Sequence, residues 1–203
     1  MTETTDTLHA ERILVLDFGS QYTQLIARRV RESRVYCEIH PFSEDLSAIR
    51  DFAPAGIILS GGPESVLDAD APMVAREVLE LGVPVLGICY GMQLITHLLG
   101  GRVEEAARRE YGRASLQVDE AAGPLSGLEP GESTDVWMSH GDRIAELPPG
   151  FRRIGHTDNS PLAAIGDPDR RLYAFQFHPE VVHTPRGAEI LEGFVRGDCG
   201  CHG

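Results

Sequence analysis

Three short runs of apolar residues, each followed by a turn rich in glycine, constrain the fold of this chain more than any other feature. They occupy residues 12–17, 56–60 and 83–88. A segment that is apolar at nearly every position fits a parallel strand whose two faces are both covered. Helical spacing of apolar residues follows each run. We therefore expect an α/β fold with a mostly parallel central sheet and helices on both of its faces.

The other elements are predicted from weaker patterns. A strand is expected near residues 35–40, and helices are expected at residues 21–31, 46–51, 72–81, 90–99 and 185–195. After Gly101 the pattern changes to shorter apolar segments between Pro/Gly turns, which predict strands near residues 114–118, 134–138, 152–156, 162–165 and 172–177. We expect one domain at residues 12–196, preceded by a flexible leader (1–11) and followed by a Gly/Cys tail (197–203) that begins a linker.

The composition excludes several classes of protein. The formal net charge of −13 argues against non-specific nucleic-acid binding, which needs clustered positive charge. All 18 residues of the Lys+Arg total are Arg, so lysine-based catalysis is excluded. No apolar run approaches the ~20 residues that cross a bilayer. The polar N-terminus lacks the pattern of a secretory signal. We expect a cytoplasmic protein that binds neither nucleic acid nor membranes.

The four cysteines are too few for a disulfide scaffold. Cys199, Cys201 and His202 form a Cys-x-Cys-His cluster that could hold a metal, but a fourth ligand at usable spacing is missing. We therefore expect a disordered end here and predict no metal site.

Cys89 lies between the third apolar run and a helical segment, within Gly87-Ile-Cys89-Tyr-Gly91. This is the layout of a nucleophile elbow, in which flanking glycines allow a sharp turn that lifts the nucleophile out of the sheet. The N-terminal end of the following helix favours a thiolate. The alternative is a buried structural cysteine at the end of a strand. The glycine frame favours the nucleophile.

A thiolate nucleophile needs a partner that can give and take a proton, and His178 is the best candidate. It follows an apolar run and precedes Pro179 and Glu180. Pro179 favours extended geometry at His178, and residues two apart in an extended segment share a face. Glu180 can therefore orient the imidazole, as in a catalytic triad.

The stretch Ser60-Gly-Gly-Pro63-Glu64-Ser65 has three interpretations. It could be an oxyanion loop, since glycines let backbone N–H groups approach a substrate closely. It could be a phosphate loop, although Pro63 removes an N–H group and Glu64 adds negative charge. It could also be a plain turn. Because sites in open α/β sheets form beyond the carboxyl ends of the strands, we expect residues 19–20, 60–62 and 89 along one edge.

Together these motifs resemble the class I, triad-type glutamine amidotransferases, over residues 13–194. The resemblance implies a flavodoxin-like core and the hydrolysis of glutamine to glutamate and ammonia. Cys89 would be the nucleophile, His178 the acid and base, and Glu180 the residue that orients His178. Backbone N–H groups of Gly62 and Tyr90 would form the oxyanion hole. The implied substrate-binding residues are Gly61, Gln93, Ser139, His140 and Gly141.

Two of these assignments have simpler alternatives. Gln93 could be an exposed helix residue, and Ser139-His140 could be a turn between strands.

Within the family, four stretches are similar to the amidotransferase domains of GMP synthetases. They begin at Asp17, Arg109, Met138 and His178, and they cover residues 17–24, 109–112, 138–142 and 178–185. This similarity implies that the ammonia aminates xanthosine monophosphate to GMP. The partner would be an ATP-pyrophosphatase synthetase domain or subunit that binds ATP and magnesium, while this chain holds no cofactor. We expect an excised domain or a separate subunit.

Three alternatives stay open from the sequence. The chain could be the amidotransferase subunit of another synthase, of the anthranilate or aminodeoxychorismate type. It could be a different α/β hydrolase with a cysteine elbow that does not use glutamine. It could also be a non-catalytic regulatory domain of the same fold, although Cys89, His178 and Glu180 disfavour this interpretation.

Overall fold

The computed structural model describes residues 11–203, with His140 described in its backbone alone. The leader predicted at residues 1–11 therefore lies almost wholly outside the described residues. The described chain forms a ten-stranded sheet in the order β10-β6-β5-β7-β8-β9-β4-β3-β1-β2. The strands are β1 Arg12–Asp17, β2 Tyr36–Pro41, β3 Gly56–Leu59, β4 Val85–Ile88, β5 Arg102–Val118, β6 Ser133–Glu146, β7 Arg152–His156, β8 Ala164–Asp167, β9 Leu172–Phe175 and β10 Phe177–His178.

The three apolar runs form neighbouring parallel strands, as predicted. β1, β3 and β4 pair side by side, and β2 and β9 extend the parallel half at its two edges. Successive side chains of β1 enter different layers: Ile13 and Val15 join one apolar cluster, and Leu14 and Leu16 join the other. The predicted α/β class is confirmed, and the whole sheet is mixed, because antiparallel strands continue it beyond β9.

The helices lie on both faces of the sheet. α1 (Thr23–Glu32) and α4 (Gly187–Glu192) pack in the layer of Ile13, and α3 (Tyr90–Leu98) packs in the layer of Leu14. α2 (Leu46–Phe52) buries Ile49 in the same layer as α3. Short 3-10 turns occur at Arg76–Glu80 and Gly123–Leu125, and a π-helical turn spans Gly193–Asp198. Within the described residues, no helix is both long and apolar enough to cross a membrane.

The helix predicted at residues 72–81 is wrong, since this segment forms only the 3-10 turn at Arg76–Glu80. Ala75 is extended (φ −63°, ψ 138°), which interrupts any helical ladder from Pro72. The Pro72 carbonyl instead accepts the hydroxyl of Tyr90. Val74 and Val78 are still buried, so the apolar spacing reflects contact with the core rather than an α-helix.

β5 and β6 are much longer than the strands predicted at residues 114–118 and 134–138. Their outer parts form an antiparallel arm with a register shift between Glu105 and Glu110. Residues 104–113 of β5 are exposed or half-buried and mostly polar. Because the arm buries little apolar surface there, its sequence lacks the apolar alternation by which a strand is recognised.

The C-terminal tail is ordered against the domain, so the expected disordered end is wrong. Cys201 is 1% exposed and belongs to the core cluster that contains Cys37. The Cys201 amide donates to the Val195 carbonyl at 3.1 Å, and the His202 amide donates to the Glu11 carboxylate at 2.6 Å. That residues 197–203 also begin a linker stays a prediction.

Gly87 is expected to tolerate no larger residue. A Cβ at this position would lie 2.6 Å from the backbone carbon and oxygen of Gly91 and 2.7 Å from Ile95. We expect Gly87→Ala to lower the free energy of unfolding by roughly 1–3 kcal/mol, because the backbones of β4 and α3 must shift apart to admit the methyl group. Urea unfolding measures this change. Gly197→Ala is the control, since a Cβ there has no neighbour within 4 Å. Equal unfolding midpoints for the two variants would contradict the prediction.

Asp198 is expected to make stability depend on pH. Burial raises the pKa of its carboxyl from 3.8 to about 6, against the opposing effects of the Tyr173 hydroxyl and Arg171. The folded state therefore binds this proton more tightly than the unfolded state, and stability falls as the pH rises from about 4 to about 6. Asp198→Asn lacks this titrating group. We therefore expect its stability relative to the natural chain to increase as the pH rises from 4 to 7.5, as measured by urea unfolding. The exposed Asp51→Asn variant should show no such gain.

Candidate active site

Cys89 occupies the sharp turn between β4 and α3, as the elbow pattern predicts. Its backbone has φ 52° and ψ −105°, a positive φ that a residue with a side chain seldom adopts. The turn is held on both sides: the Cys89 amide donates to the Phe175 carbonyl at 2.8 Å, and the Cys89 carbonyl accepts from the Gln93 amide at 3.2 Å. Gly91 lets α3 approach β3, since a Cβ there would lie 2.5 Å from the Leu59 carbonyl oxygen.

Cys89, His178 and Glu180 form a continuous chain of contacts. The Cys89 Sγ lies 3.2 Å from the His178 Nε2, and the His178 Nδ1 lies 2.6 Å from the Glu180 Oε1. All three are buried, with 4%, 4% and 0% of their surface exposed. The Cys89 thiol also donates a hydrogen bond to the Gln176 carbonyl oxygen, at 3.0 Å. The geometry suits proton exchange between sulfur and imidazole.

Two opposing effects set the charge of His178. Burial, the largest effect, disfavours the imidazolium form. The Cys89 sulfur and the Glu180 carboxylate favour it by charge and by hydrogen bonding, and together they outweigh burial. The pKa of His178 is therefore raised above its ordinary value, so the site can hold a proton on the imidazole.

α1 packs against this group from one side. The Tyr22 ring meets the His178 imidazole edge-on, with 5.2 Å between the ring centroids and 72° between the ring planes. The Arg29 Nε donates to the Glu180 carbonyl at 3.0 Å. The start of α1 is fixed by Asp17, whose Oδ1 accepts from the Gly19 amide at 2.8 Å and the Thr23 hydroxyl at 2.9 Å. No sequence pattern predicted that α1 supports the site.

The loop after β3 lies against the cysteine elbow. The fully buried Ser60 hydroxyl accepts from the Phe18 amide at 2.9 Å and donates to the Gly61 carbonyl at 2.9 Å, which joins the loops after β1 and β3. A Cβ on Gly62 would lie 2.3 Å from the Phe18 carbonyl oxygen, so this close approach requires glycine. A Cβ on Gly61 would lie 3.4 Å from the His178 Cε1 and 3.5 Å from the Cys89 Cβ.

Two cavities meet at Cys89. One, of about 320 Å³, is lined by the turn after β1 and by His178; the other, of about 380 Å³, extends toward the arm of β5 and β6. The residues common to both are Gly62, Pro63, Cys89 and Ser139. The predicted meeting of the turn after β1, the loop after β3 and Cys89 at one sheet edge is confirmed.

The larger cavity brings together most of the residues that the family resemblance assigned to substrate and oxyanion binding. Gly62, Tyr90, Gln93, Ser139 and Gly141 line it. Gln93 is not an exposed helix residue, because it is 5% exposed, and its Oε1 has no partner among the described residues. Ser139 and His140 lie within β6 rather than in a turn, and His140 is opposite Glu110 of β5. The His140 side chain lies outside the described part of the chain. The roles of these residues stay predictions.

Sequence reasoning gave no role to several other residues of the larger cavity. Arg109, Tyr111 and Asp142 come from the arm of β5 and β6, and Glu64 and Ser65 follow Pro63. The Ser65 hydroxyl is hydrogen-bonded to the Asp142 carboxylate, which ties the loop after β3 to the arm. The sequence contained a signal for the arm residues, because they lie within the stretches that carried the resemblance. Among the described side chains, which exclude that of His140, no three His, Cys, Asp or Glu are placed to share a metal ion.

Comparison with known proteins identifies the family. The family model for class I glutamine amidotransferases matches residues 14–197. The GMP synthase [glutamine-hydrolyzing] of Nitrosococcus oceani is 58% identical over 200 residues, and that of Heliobacterium modesticaldum is 54% identical over 193 residues. These matches cover 96% and 95% of this chain but 38% and 37% of the two relatives, so the chain spans well under half of their length.

Solved structures show the same fold. A protein of Thermoplasma acidophilum, provisionally assigned as one of the subunits of a GMP synthase, is 32% identical, with a TM-score of 0.83 and 95% of both chains covered. A glutamine amidotransferase of Thermotoga maritima shares the fold with a TM-score of 0.74 at 14% identity, over 95% of this chain and 100% of that one. From the family model and these relatives, the chain belongs to the class I glutamine amidotransferase family.

Proposed function

We propose that this chain hydrolyses glutamine to glutamate and ammonia through a Cys89–His178–Glu180 triad. The observation that carries the proposal is the unbroken contact chain, 3.2 Å from sulfur to imidazole and 2.6 Å from imidazole to carboxylate, at the point where two cavities meet. Family membership supplies the substrate class.

In the first step, the Cys89 sulfur attacks the side-chain amide carbon of glutamine. The amide oxygen becomes an oxyanion, and the backbone N–H groups of Gly62 and Tyr90, which both line the larger cavity, are the proposed donors to it. One such donor typically lowers the barrier by ~3 kcal/mol. His178 then gives its proton to the departing nitrogen, so ammonia leaves and a γ-glutamyl thioester remains on Cys89.

In the second step, His178 takes a proton from water, and the resulting hydroxide attacks the thioester. The tetrahedral intermediate collapses, the sulfur–carbon bond breaks and glutamate is released. Glu180 holds the imidazole through its Nδ1 in both steps, so that Nε2 always faces the reacting atoms. Gly61, which lies against both His178 and Cys89, is proposed to border the amide group.

The charges of the larger cavity suit the amino-acid end of glutamine, which carries one ammonium and one carboxylate. Asp142 and Glu64 offer negative charge, and Arg109 offers positive charge. The unpartnered Gln93 Oε1 can accept a hydrogen bond from the substrate. Ser139, His140 and Gly141, which follow one another in β6, are proposed to hold the same end through their backbone.

We further propose that the ammonia serves the amination of xanthosine monophosphate to GMP. The relatives described as GMP synthase [glutamine-hydrolyzing] support this step, and each is more than twice as long as the part matched here. The partner would be an ATP-pyrophosphatase synthetase domain or subunit, with ATP and magnesium bound there. The four cysteines are free thiols, which fits a reducing compartment such as the cytoplasm.

Glutamate release is expected to depend on Cys89 and on the partner. We expect Cys89→Ala to abolish release, and the natural chain to release glutamate weakly alone and faster with a matching synthetase domain. Coupled assay of glutamate from glutamine measures both effects. Cys37→Ala is the control, because it removes a buried thiol that lines neither of the two cavities at Cys89. Release by Cys89→Ala equal to that of the natural chain would refute the triad.

Asp142 is expected to bind the substrate ammonium. Asp142→Asn keeps the size of the side chain but removes its charge, so we expect KM for glutamine to rise about tenfold, equivalent to ~1.4 kcal/mol, with kcat nearly unchanged. Steady-state glutamate release over a range of glutamine concentrations measures the two constants. The exposed Asp135→Asn variant of the same strand is the control. An unchanged KM in Asp142→Asn would remove Asp142 from the binding site.

A further inference from the structure

The strand that carries His178 is very short for the position it must hold. β10 contains two residues, and it lies at the edge of the sheet with two pairs, Phe177 opposite Met138 and His178 opposite Trp137. Pro179 follows and has no N–H group with which to continue the ladder. The backbone ladder therefore fixes His178 from one direction only, and other contacts must fix the rest.

Thr184 supplies such a contact. Its hydroxyl donates to the His178 carbonyl at 2.6 Å and accepts from the Trp137 amide at 3.0 Å. His178 and Trp137 are opposite each other in the β10–β6 pair, so the hydroxyl bridges the backbones of two paired residues. The bridge continues the connection between the two strands at the position where β10 ends.

Thr184 is itself well fixed. It is 3% exposed, its amide donates to the Val181 carbonyl at 3.1 Å, and its carbonyl accepts from the Gly187 amide at 2.9 Å. The residues between Glu180 and Thr184 thus return the chain to β6, and they place the Thr184 hydroxyl between the backbones of β10 and β6. On the other side, Arg29 holds the Glu180 carbonyl. The backbone of residues 178–180 is therefore held by two side chains, Thr184 at the His178 carbonyl and Arg29 at the Glu180 carbonyl.

We propose that Thr184 is a positioning residue for the reaction: its hydroxyl bridge sets the distance between the His178 imidazole and the Cys89 sulfur. This inference rests on the proposed function, since it assumes that the contact between His178 and Cys89 is the reacting one. Without the bridge, β10 can separate from β6, and the 3.2 Å contact lengthens while Cys89, which follows β4, stays in place.

The test compares Thr184→Val, which keeps the shape but loses the hydroxyl, with Thr184→Ser, which keeps the hydroxyl. Two readouts are used: steady-state glutamine hydrolysis, and the rate at which iodoacetamide alkylates Cys89 from pH 5 to pH 10. Mass spectrometry of the Cys89 peptide separates this thiol from the other three. Alkylation needs no glutamine, so it tests the contact between His178 and Cys89 even if glutamine is not the substrate.

We expect Thr184→Val to lower kcat about 10- to 100-fold with KM within about twofold, because the substrate pocket is untouched. The rate of Cys89 alkylation at neutral pH should fall, since a displaced imidazole no longer exchanges a proton with the sulfur across the 3.2 Å contact. Thr184→Ser should restore both values to within about threefold of the natural chain. Other charged groups near the cleft, Glu180, Glu64, Arg109 and Asp142, are the same in all variants and cancel in the comparison.

Thr157→Val is the matched control. Thr157 is another buried threonine, 3% exposed, whose hydroxyl accepts from the Ser160 amide, and it lines neither cavity at Cys89. It should lose stability but keep the alkylation profile. A folded Thr184→Val variant with natural kcat and a natural alkylation profile would overturn the proposal. An altered alkylation profile in a chain without glutaminase activity would support the role of Thr184 and refute the glutamine assignment instead.

Discussion

The register between β4 and β9 is the constraint on which the site depends. Gly87 pairs with Ala174 and Ile88 with Phe175, so the residue after β4 lies beside the residue after β9. The Cys89 amide then reaches the Phe175 carbonyl, and the Cys89 sulfur reaches the Gln176 carbonyl. Two residues further, His178 faces the sulfur. A slip of one residue would turn each side chain of β9 to the opposite layer, so burial of the core also enforces the contact at the site.

The parts of the fold that could be predicted are the strands that are covered by apolar residues on both faces. β1, β3 and β4 are buried on both faces, so their apolar runs identify them without knowledge of their neighbours. The elbow at Cys89 and the segment from His178 to Glu180 are local patterns of the same kind. The arm of β5 and β6 could not be predicted, because its exposed residues carry no apolar alternation. The ordered tail was missed because the burial of Cys201 depends on residues far away in sequence.

The candidate site shows the same division. Cys89, His178 and Glu180 were assigned from short patterns, because the chemistry of a nucleophile needs particular residue types in a particular local geometry. Ser65 and Asp142 are 77 residues apart, and the arm that contains Asp142 has a register shift between Glu105 and Glu110. No local pattern encodes such a shift. The hydroxyl of Thr184 escapes prediction for the same reason, since its partners, His178 and Trp137, belong to two different strands.

In the proposed reaction, the Cys89 sulfur first favours the imidazolium form of His178 and then loses this effect when it bonds to the substrate. Burial opposes the imidazolium form, and the Cys89 sulfur is one of the two groups that outweigh it. When the sulfur bonds to the amide carbon, its negative charge is lost while the burial of His178 remains. The imidazole then holds its proton less tightly and can give it to the departing nitrogen, which leaves as ammonia. The neutral His178, still oriented by Glu180, is ready to take a proton from water. One buried pair therefore accounts for both the acid and the base that the two steps need.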